Sequence, residues 1–159
     1  MRVRTVAVLI VLLVGGMAWA ISPTGLRLTP DEISAKISGD PGAGTSGVAG
    51  VRTTVLSGDP SGAGLYTIRL SVPARTRIAA HSHRDNRTAV VISGVWYFGY
   101  GKAATDAAKK VLPVGSFYSE PAGVDHFAET KDEPVVVYIT GIGPTDTKYV
   151  DPRDDPQRR

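Results

Sequence analysis

From residue 51 onward the chain consists of short segments in which apolar and polar positions alternate, separated by turn residues. The clearest segment is 66–72, YTIRLSV, whose period of two predicts a strand with one buried face. Further short strands are predicted at 90–92, 95–98, 116–119, 127–130 and 135–140. The Ser93-Gly94 pair is predicted to join the first two of these in a hairpin. Because no long helical crossover separates the segments, the pattern predicts an all-β antiparallel sandwich or barrel.

The region before the strands carries one helix signal. Thr29 suits the N-cap, Pro30 the first helical position and Glu32 the first turn, so a helix of about two turns is predicted here. The glycine-rich stretch 38–50 is predicted to be a flexible connector. Between strands, the polar stretch 102–110 is compatible with one short helix or a long loop.

The first twenty residues have the pattern of a secretory signal peptide. Arg2 and Arg4 precede the apolar run 6–14, and small residues at 18–20 (AWA) follow it at the position of a cleavage site. The alternative is an uncleaved membrane anchor, but the apolar run is shorter than the ~20 residues that a membrane span requires. We therefore expect cleavage after residue 20, and a periplasmic or secreted protein.

Composition narrows the classes of function. The 159 residues contain no cysteine, which excludes disulfides, thiolate zinc sites and a cysteine nucleophile. The formal net charge is +3, and loss of Arg2 and Arg4 with the signal leaves about +1, which gives no support for nucleic-acid binding. The mixed charges of 151–159 are typical of a solvated polar tail. A single exported domain without nucleic acid or membrane as its partner is the expected class.

Histidine is the residue type that points to chemistry. The chain has three: His81, His83 and His126. On a strand, a spacing of two places His81 and His83 on the same face, where both imidazoles can reach one metal ion. The turn residues at 121–123 could bring His126 beside them. The alternative from spacing alone is two exposed histidines and an unrelated third.

The surroundings of His126 match a motif of the cupin superfamily. That motif runs G-x5-P-x-G-x2-H-x3-N, and Gly115, Pro121, Gly123 and His126 occupy its positions at the same spacings. Thr130 stands where the motif ends in asparagine. The region therefore resembles the second cupin motif, with one departure.

The surroundings of His81 and His83 resemble the first cupin motif, G-x5-H-x-H-x(3,4)-E-x6-G. The two histidines and Gly94 fit it, whereas Arg75 takes the place of the opening glycine. Depending on register, the glutamate position holds Arg87 or Thr88, and Gly94 favours the register with Arg87. The metal-binding carboxylate of the family is therefore missing from its usual position.

The resemblance, which covers about 62–145, implies a cupin double-stranded β-helix (jelly-roll) barrel with a short N-terminal helix. The expected organisation is a signal peptide at 1–20, an extension and linker at 21–61, the barrel at 62–150 and the tail at 151–159. Cupins use three histidines and one glutamate as metal ligands. The resemblance thus implies that His81, His83 and His126 bind one divalent transition metal.

The missing glutamate leaves two hypotheses for this site. Either three imidazoles alone hold the ion, or a nearby acid, Asp85 or Glu120, replaces the motif residue. The simpler interpretation of both acids is ordinary surface charge, so we expect three ligands. Arg87 is expected to turn outward or to bind an anionic substrate, since a cation repels the ion. Metal affinity is expected to fall as the pH drops through about 6.5, the ordinary histidine pKa.

The resemblance also suggests a class of function. The first hypothesis is an Fe(II)-dependent dioxygenase or related oxidoreductase acting on a small organic substrate, with Zn, Mn, Ni or Cu as other candidate metals. The alternative is a non-catalytic module that binds a metal or a small ligand. Interior positions for a ligand are sought among six strand residues: Tyr66, Arg69, Trp96, Phe98, Phe117 and Tyr138. Because cupin barrels pair through an edge sheet, a homodimer is expected.

Overall fold

The computed structural model of the protein describes residues 25–36 and 43–158. The expected signal peptide at 1–20 and the first part of the glycine-rich connector lie outside these residues. Within the described ranges, the one α-helix, α1, spans only Pro30–Ala35, and none of their helices is long and apolar enough to cross a membrane.

The described residues form ten strands in two antiparallel sheets. The strands are β1 (Arg52–Ser57), β2 (Gly64–Val72), β3 (Arg77–Ser82), β4 (Arg87–Ser93), β5 (Trp96–Tyr100), β6 (Lys109–Leu112), β7 (Phe117–Glu120), β8 (His126–Glu129), β9 (Val135–Gly143) and β10 (Lys148–Tyr149). The first sheet has the order β1-β2-β9-β4-β7, and the second has the order β10-β3-β8-β5-β6. This is the all-β jelly-roll architecture that the sequence predicted.

The core lies between the two sheets and follows from the alternation of apolar residues. Along β2, Tyr66, Ile68 and Leu70 are buried, while the residues between them are partly exposed. β9 runs antiparallel beside β2 with nine paired positions, and its residues alternate in the same way. Since every second side chain points inward, the barrel interior is filled from both sheets.

The predicted hairpin at Ser93-Gly94 is wrong. β4 pairs with β7 and β9 in the first sheet, whereas β5 pairs with β6 and β8 in the second. The turn itself is present: Gly94 has φ +74, and a Cβ there would lie 2.3 Å from the carbonyl oxygen of Pro134. Val91 and Trp96 are both buried in the interior, so the two strands face one another across the barrel.

The helix signal before the strands is confirmed. Thr29 Oγ1 accepts a hydrogen bond from the backbone N–H of Glu32, and the Glu32 carboxylate accepts one from the N–H of Thr29. This reciprocal pair fixes the first turn of α1, in which Pro30 occupies the first position. The stretch 102–110 contains a single 3₁₀ turn at Asp106–Ala108, which leads directly into β6.

The connector differs from the flexible segment that was predicted. Residues 43–48, which we call the strap, lie across one end of the barrel, and Gly44, Thr45 and Ser46 are buried. β1 follows it, pairing with β2 as the outer strand of the first sheet. This strand falls inside the stretch 21–61 that was expected to be extension and linker.

Two loops that cross between the sheets are joined at the same end of the barrel as the strap. The loop after β3 starts at His83, and the loop between β7 and β8 contains Gly123. The backbone N–H of Gly123 donates to the carbonyl of His83 at 2.8 Å. The side chain of Asn86 accepts from the backbone N–H of Ala122 at 2.9 Å. These bonds hold the backbone on either side of the three histidines.

Candidate metal centre

The three histidines meet inside the barrel. β3 and β8 are neighbours in the second sheet, and His81 is paired directly with His126. His83 follows β3 by one residue and projects to the same side, as the spacing predicted. One ring nitrogen from each histidine lies within 4.8 Å of those of the other two, and all three residues are buried. They could therefore hold one metal ion.

Each imidazole is oriented by a hydrogen bond from its Nδ1 to a backbone carbonyl. The acceptor is Ala79 for His81 at 2.7 Å, Asp146 for His83 at 2.5 Å, and Val124 for His126 at 3.0 Å. A carbonyl only accepts, so in each neutral ring Nδ1 carries the proton and Nε2 carries the free lone pair. Metal-binding histidines are held in this way by the groups behind them.

The Nε2 atoms show that the residues fit a metal ion. Nε2 of His83 and Nε2 of His126 are buried and have no hydrogen-bond partner among the described residues. A buried acceptor left without a partner costs about 1–3 kcal/mol. A divalent ion between the rings would satisfy both lone pairs. The set of three imidazoles without thiolates suits Fe, Zn, Ni or Cu.

Burial keeps these imidazoles neutral. Desolvation, assisted by the positive charge that His126 would carry, lowers the pKa of His81 to about 3. Desolvation and the nearby Arg87 guanidinium lower the pKa of His83, and desolvation lowers that of His126 despite the negative charge of Glu120. The histidines are thus held in the form that binds metal.

Glu120 is buried beside the histidines, so its interpretation as a surface charge is wrong. It is 4% exposed, and its Oε2 lies 3.8 Å from Nε2 of His83 and 3.9 Å from Nε2 of His126. Arg87 is also buried, and its Nε donates to the same Oε2 at 2.6 Å. Arg87 therefore does not turn outward as expected. Its positive charge is neutralised by Glu120.

The Arg87–Glu120 pair sets the charge state of the site. Burial alone would raise the pKa of the Glu120 carboxyl, but the Arg87 guanidinium outweighs burial and holds that pKa below its ordinary value. In turn, burial acts to lower the pKa of Arg87, and the Glu120 carboxylate reverses this and raises it. An ionised carboxylate therefore faces the three imidazoles.

Asp85 is buried as well, but in a different place. Its Oδ2 accepts a hydrogen bond from the Tyr66 hydroxyl at 2.8 Å, and its Oδ1 is buried without a partner among the described residues. It does not belong to the group of side chains that line the histidine cavity. The surface interpretation of Asp85 is wrong too, and of the two acids only Glu120 adjoins the histidines.

The cavity beside the histidines is very small. It offers about 20 Å³ of space to the centre of a water molecule, and a site of ~10–15 Å³ by this measure holds one water. Trp96, Phe98 and Tyr118 form its aromatic wall. Of the six strand residues considered as interior candidates, Tyr66, Trp96 and Phe98 are buried, whereas Arg69, Phe117 and Tyr138 are partly or largely exposed.

The strap closes this cavity through its backbone. Arg87 Nη1 donates to the carbonyl of Gly44 at 2.5 Å, and Thr147 Oγ1 donates to that of Thr45 at 2.8 Å. The Tyr149 hydroxyl donates to the carbonyl of Ser46. Sequence reasoning missed these residues, because a glycine-rich run is equally typical of a mobile linker.

A larger open groove, of about 650 Å³, lies outside the strap and the crossing loops. Arg84, Asp125 and Lys148 are among its lining residues, and His83 lines both this groove and the inner cavity. His83 is thus the histidine at which a molecule arriving from solvent would first meet the site.

Gly44→Ala is expected to displace the strap. Gly44 has φ +75, and an added Cβ would lie 2.3 Å from Cγ2 of Thr145, so the strap must move. Trp96, in the cavity wall, is the one tryptophan after residue 20. In protein comprising residues 21–159, acrylamide should therefore quench the tryptophan fluorescence of the variant more strongly than that of the parent.

Gly115→Ala is the matched control for strap displacement. Gly115 has φ +84 with no atom within 4 Å of an added Cβ, so the same backbone strain arises without the clash. If both variants are quenched equally, or neither more than the parent, the strap does not shield the cavity.

Comparison with protein families gives one match that covers most of the chain. The model of the family described as "Domain of unknown function (DUF4437)" matches residues 37–144. A comparison with curated proteins finds no match.

Solved structures with similar folds are cupins of several activities. The polyketide cyclase RemF from Streptomyces resistomycificus is 15% identical with a TM-score of 0.64, covering 84% of this chain and 90% of that one. A sugar phosphate isomerase of the cupin superfamily from Silicibacter pomeroyi DSS-3 is 17% identical with a TM-score of 0.57, covering 79% and 82%. The DMSP lyase DddQ from Ruegeria pomeroyi DSS-3 is 19% identical with a TM-score of 0.50, covering 58% and 47%. The chain spans about half the length of the DMSP lyases that it matches. At these identities the likeness shows the cupin fold alone.

Proposed function

Starting from the fact that this chain belongs to the DUF4437 family and has a cupin fold, we propose that it is a metal-dependent enzyme acting on a small organic substrate. One divalent transition-metal ion is bound by His81, His83 and His126. The observation that carries the proposal is the convergence of three buried imidazoles, each with Nδ1 bonded to a backbone carbonyl and Nε2 directed at a common point. An arrangement with two partnerless Nε2 atoms is costly unless a ligand occupies it.

Fe(II) is the metal that we favour, with oxidation of the substrate as the reaction. Bound Fe(II) would supply the one-electron chemistry that oxidation by dioxygen requires. The protein's own groups set the conditions: the backbone carbonyls fix the rings, the aromatic wall excludes water, and Arg87 neutralises Glu120. The varied activities of the similar structures support an enzyme without selecting a reaction, since one fold serves many chemistries.

Metal analysis followed by oxygen consumption tests this function. Protein purified without added chelator should contain one transition-metal ion per chain. After reconstitution with Fe(II), it should consume oxygen when supplied with small organic acids or diketones, and a His81→Ala variant should not. Protein that takes up no metal at neutral pH would refute the proposal.

A non-catalytic metal-binding module is the second candidate, and the closed cavity favours it. Space of about 20 Å³ accommodates an ion and one water-sized ligand but no organic molecule. Under this hypothesis the strap stays closed, and the protein holds the ion for another protein. Stoichiometric metal without oxygen consumption, for all substrates tried and also in Gly44→Ala, would favour this module over the enzyme.

Export is a further part of the proposal, resting on the sequence pattern of the first twenty residues. Mass spectrometry of the protein recovered from the periplasm or medium should give a chain that begins near Ile21. A recovered chain that retains Met1 would indicate an anchored protein. The homodimer likewise stays a prediction.

A further inference from the structure

We propose that Glu120 is the fourth protein ligand of the metal, and that Arg87 is the residue that positions it. The carboxylate thereby comes from β7, whereas the cupin motif places it on β4. This inference rests on the proposed metal site, because it concerns the same ion. It replaces the three-ligand site that the sequence alone predicted.

The strand register supports this substitution. Arg87 stands at the glutamate position of the motif, and Glu120 is its direct cross-strand partner on the neighbouring strand. Directly paired residues have Cβ atoms about 4.5–5.5 Å apart and project to the same face of a sheet. Both side chains project into the interior, where each is 4% exposed. A carboxylate on β7 therefore reaches the same space as one on β4.

The distances place the carboxylate within the donor set. Oε2 of Glu120 is 3.8 Å from Nε2 of His83 and 3.9 Å from Nε2 of His126. Both values are smaller than the 4.8 Å within which the three histidine donors themselves lie. Metal–nitrogen and metal–oxygen bonds are about 2.0–2.2 Å, so donors less than ~4.2 Å apart can share one ion. The site thus offers three nitrogens and one oxygen.

Arg87 orients the carboxylate by gripping one of its oxygens. Its Nε and Nη2 both contact Oε2, while Nη1 donates to the carbonyl of Gly44 in the strap. The guanidinium is thus fixed at two points, and it compensates the buried negative charge before a metal arrives. An outer partner that orients a ligating group typically contributes ~10–100-fold to metal affinity. Arg87 is a positioning residue in this arrangement.

The alternative is that Arg87 and Glu120 form a structural ion pair with no part in binding. Replacement of a buried pair by apolar residues of similar volume is often neutral for stability, so Arg87→Met with Glu120→Leu removes both charges without leaving one unpaired. Lys109→Met with Glu129→Leu is the matched control, because Lys109 Nζ and Glu129 Oε1 form a half-buried ion pair on the second sheet at 2.6 Å.

The test is titration of each protein with Co²⁺, followed by visible absorption. We expect the Arg87/Glu120 double variant to bind Co²⁺ at least ~100-fold more weakly, since a direct ligand contributes more than outer partners do. Its residual cobalt spectrum should also change in band position. The Lys109/Glu129 double variant should match the parent in both. Equal affinity and an unchanged spectrum in the Arg87/Glu120 variant would overturn the inference.

Exchanging the two charges gives the complementary test. Arg87→Glu with Glu120→Arg restores the motif glutamate on β4 and keeps the pair, so Co²⁺ affinity should return to within about tenfold of the parent. Failure of this exchange to recover binding, in a protein that folds, would also count against Glu120 as a ligand. If the parent itself binds no Co²⁺, the proposed function fails. If the parent binds but Glu120 proves dispensable, only the present inference fails.

Discussion

Replacing His126 with alanine should abolish the stabilisation of the protein by metal. At a free-metal concentration ~1,000 times the dissociation constant, binding to the parent adds about 4 kcal/mol to the free energy of unfolding. The variant loses one of only three imidazoles in the chain, and no other histidine is available to replace it. Urea unfolding with and without Zn²⁺ measures the difference, which should be near zero for the variant.

Thr130→Val provides the control for this experiment. Thr130 stands at the asparagine position of the second motif, yet its Oγ1 donates to the carbonyl of Pro73 at 2.6 Å and accepts from the N–H of Thr76 at 2.9 Å. Its role is to join two loops, so the variant should lose stability but keep the metal-dependent increment. Persistence of that increment in His126→Ala would mean that the ion binds elsewhere.

Acidification should destabilise the metal-free protein well above the range where carboxylates titrate. The pKa of His81 is lowered to about 3, and those of His83 and His126 are lowered too. Below about 6.5 the unfolded chain takes up protons that the folded chain refuses, so the free energy of unfolding falls as pH falls. Each histidine contributes a slope of up to ~1.4 kcal/mol per pH unit, or up to ~4 for three.

Urea unfolding between pH 7 and 5 in the presence of a chelator tests this slope. A variant with His81, His83 and His126 all replaced by glutamine should show a much flatter dependence over the same range. A parent protein whose stability is constant between pH 7 and 5 would show that its histidines are accessible to protons.

The same shifts correct the expectation for metal binding. A fall in affinity centred near 6.5 assumed histidines with an ordinary pKa. Because burial lowers the pKa of all three, the folded site stays unprotonated at pH 6, and the loss of affinity moves to lower pH. Below that point, unfolding of the metal-free chain competes with protonation of the site.

The parts of the structure that the sequence predicted are those with local or spaced signals. The capping residues around α1 and the alternation in 66–72 are contained in single stretches of chain. His81, His83 and His126 were found because a motif fixes their spacing, even though His126 lies on another strand. Each of these features required no knowledge of which strand lies beside which.

The parts that the sequence did not predict depend on pairing between distant strands. Ser93-Gly94 marks a turn, but only the complete barrel decides that its flanking strands join different sheets. Arg87 and Glu120 lie 33 positions apart, so nothing near either one indicates that they form a buried pair. The alternation of buried and less buried positions in β7, which places Glu120 on the same face as Tyr118, is the one local signal of its burial.

The way in which the strap is held has a consequence for the evolution of the cavity. Arg87, Thr147 and Tyr149 all bind the strap through main-chain carbonyls, which every amino acid possesses. The side chains at 45 and 46 can therefore change without loss of these three bonds. Since both residues line the cavity, relatives of this protein can acquire a different inner surface while keeping the same closure, and a library of substitutions at 45 and 46 would sample new ligand preferences on an unaltered barrel.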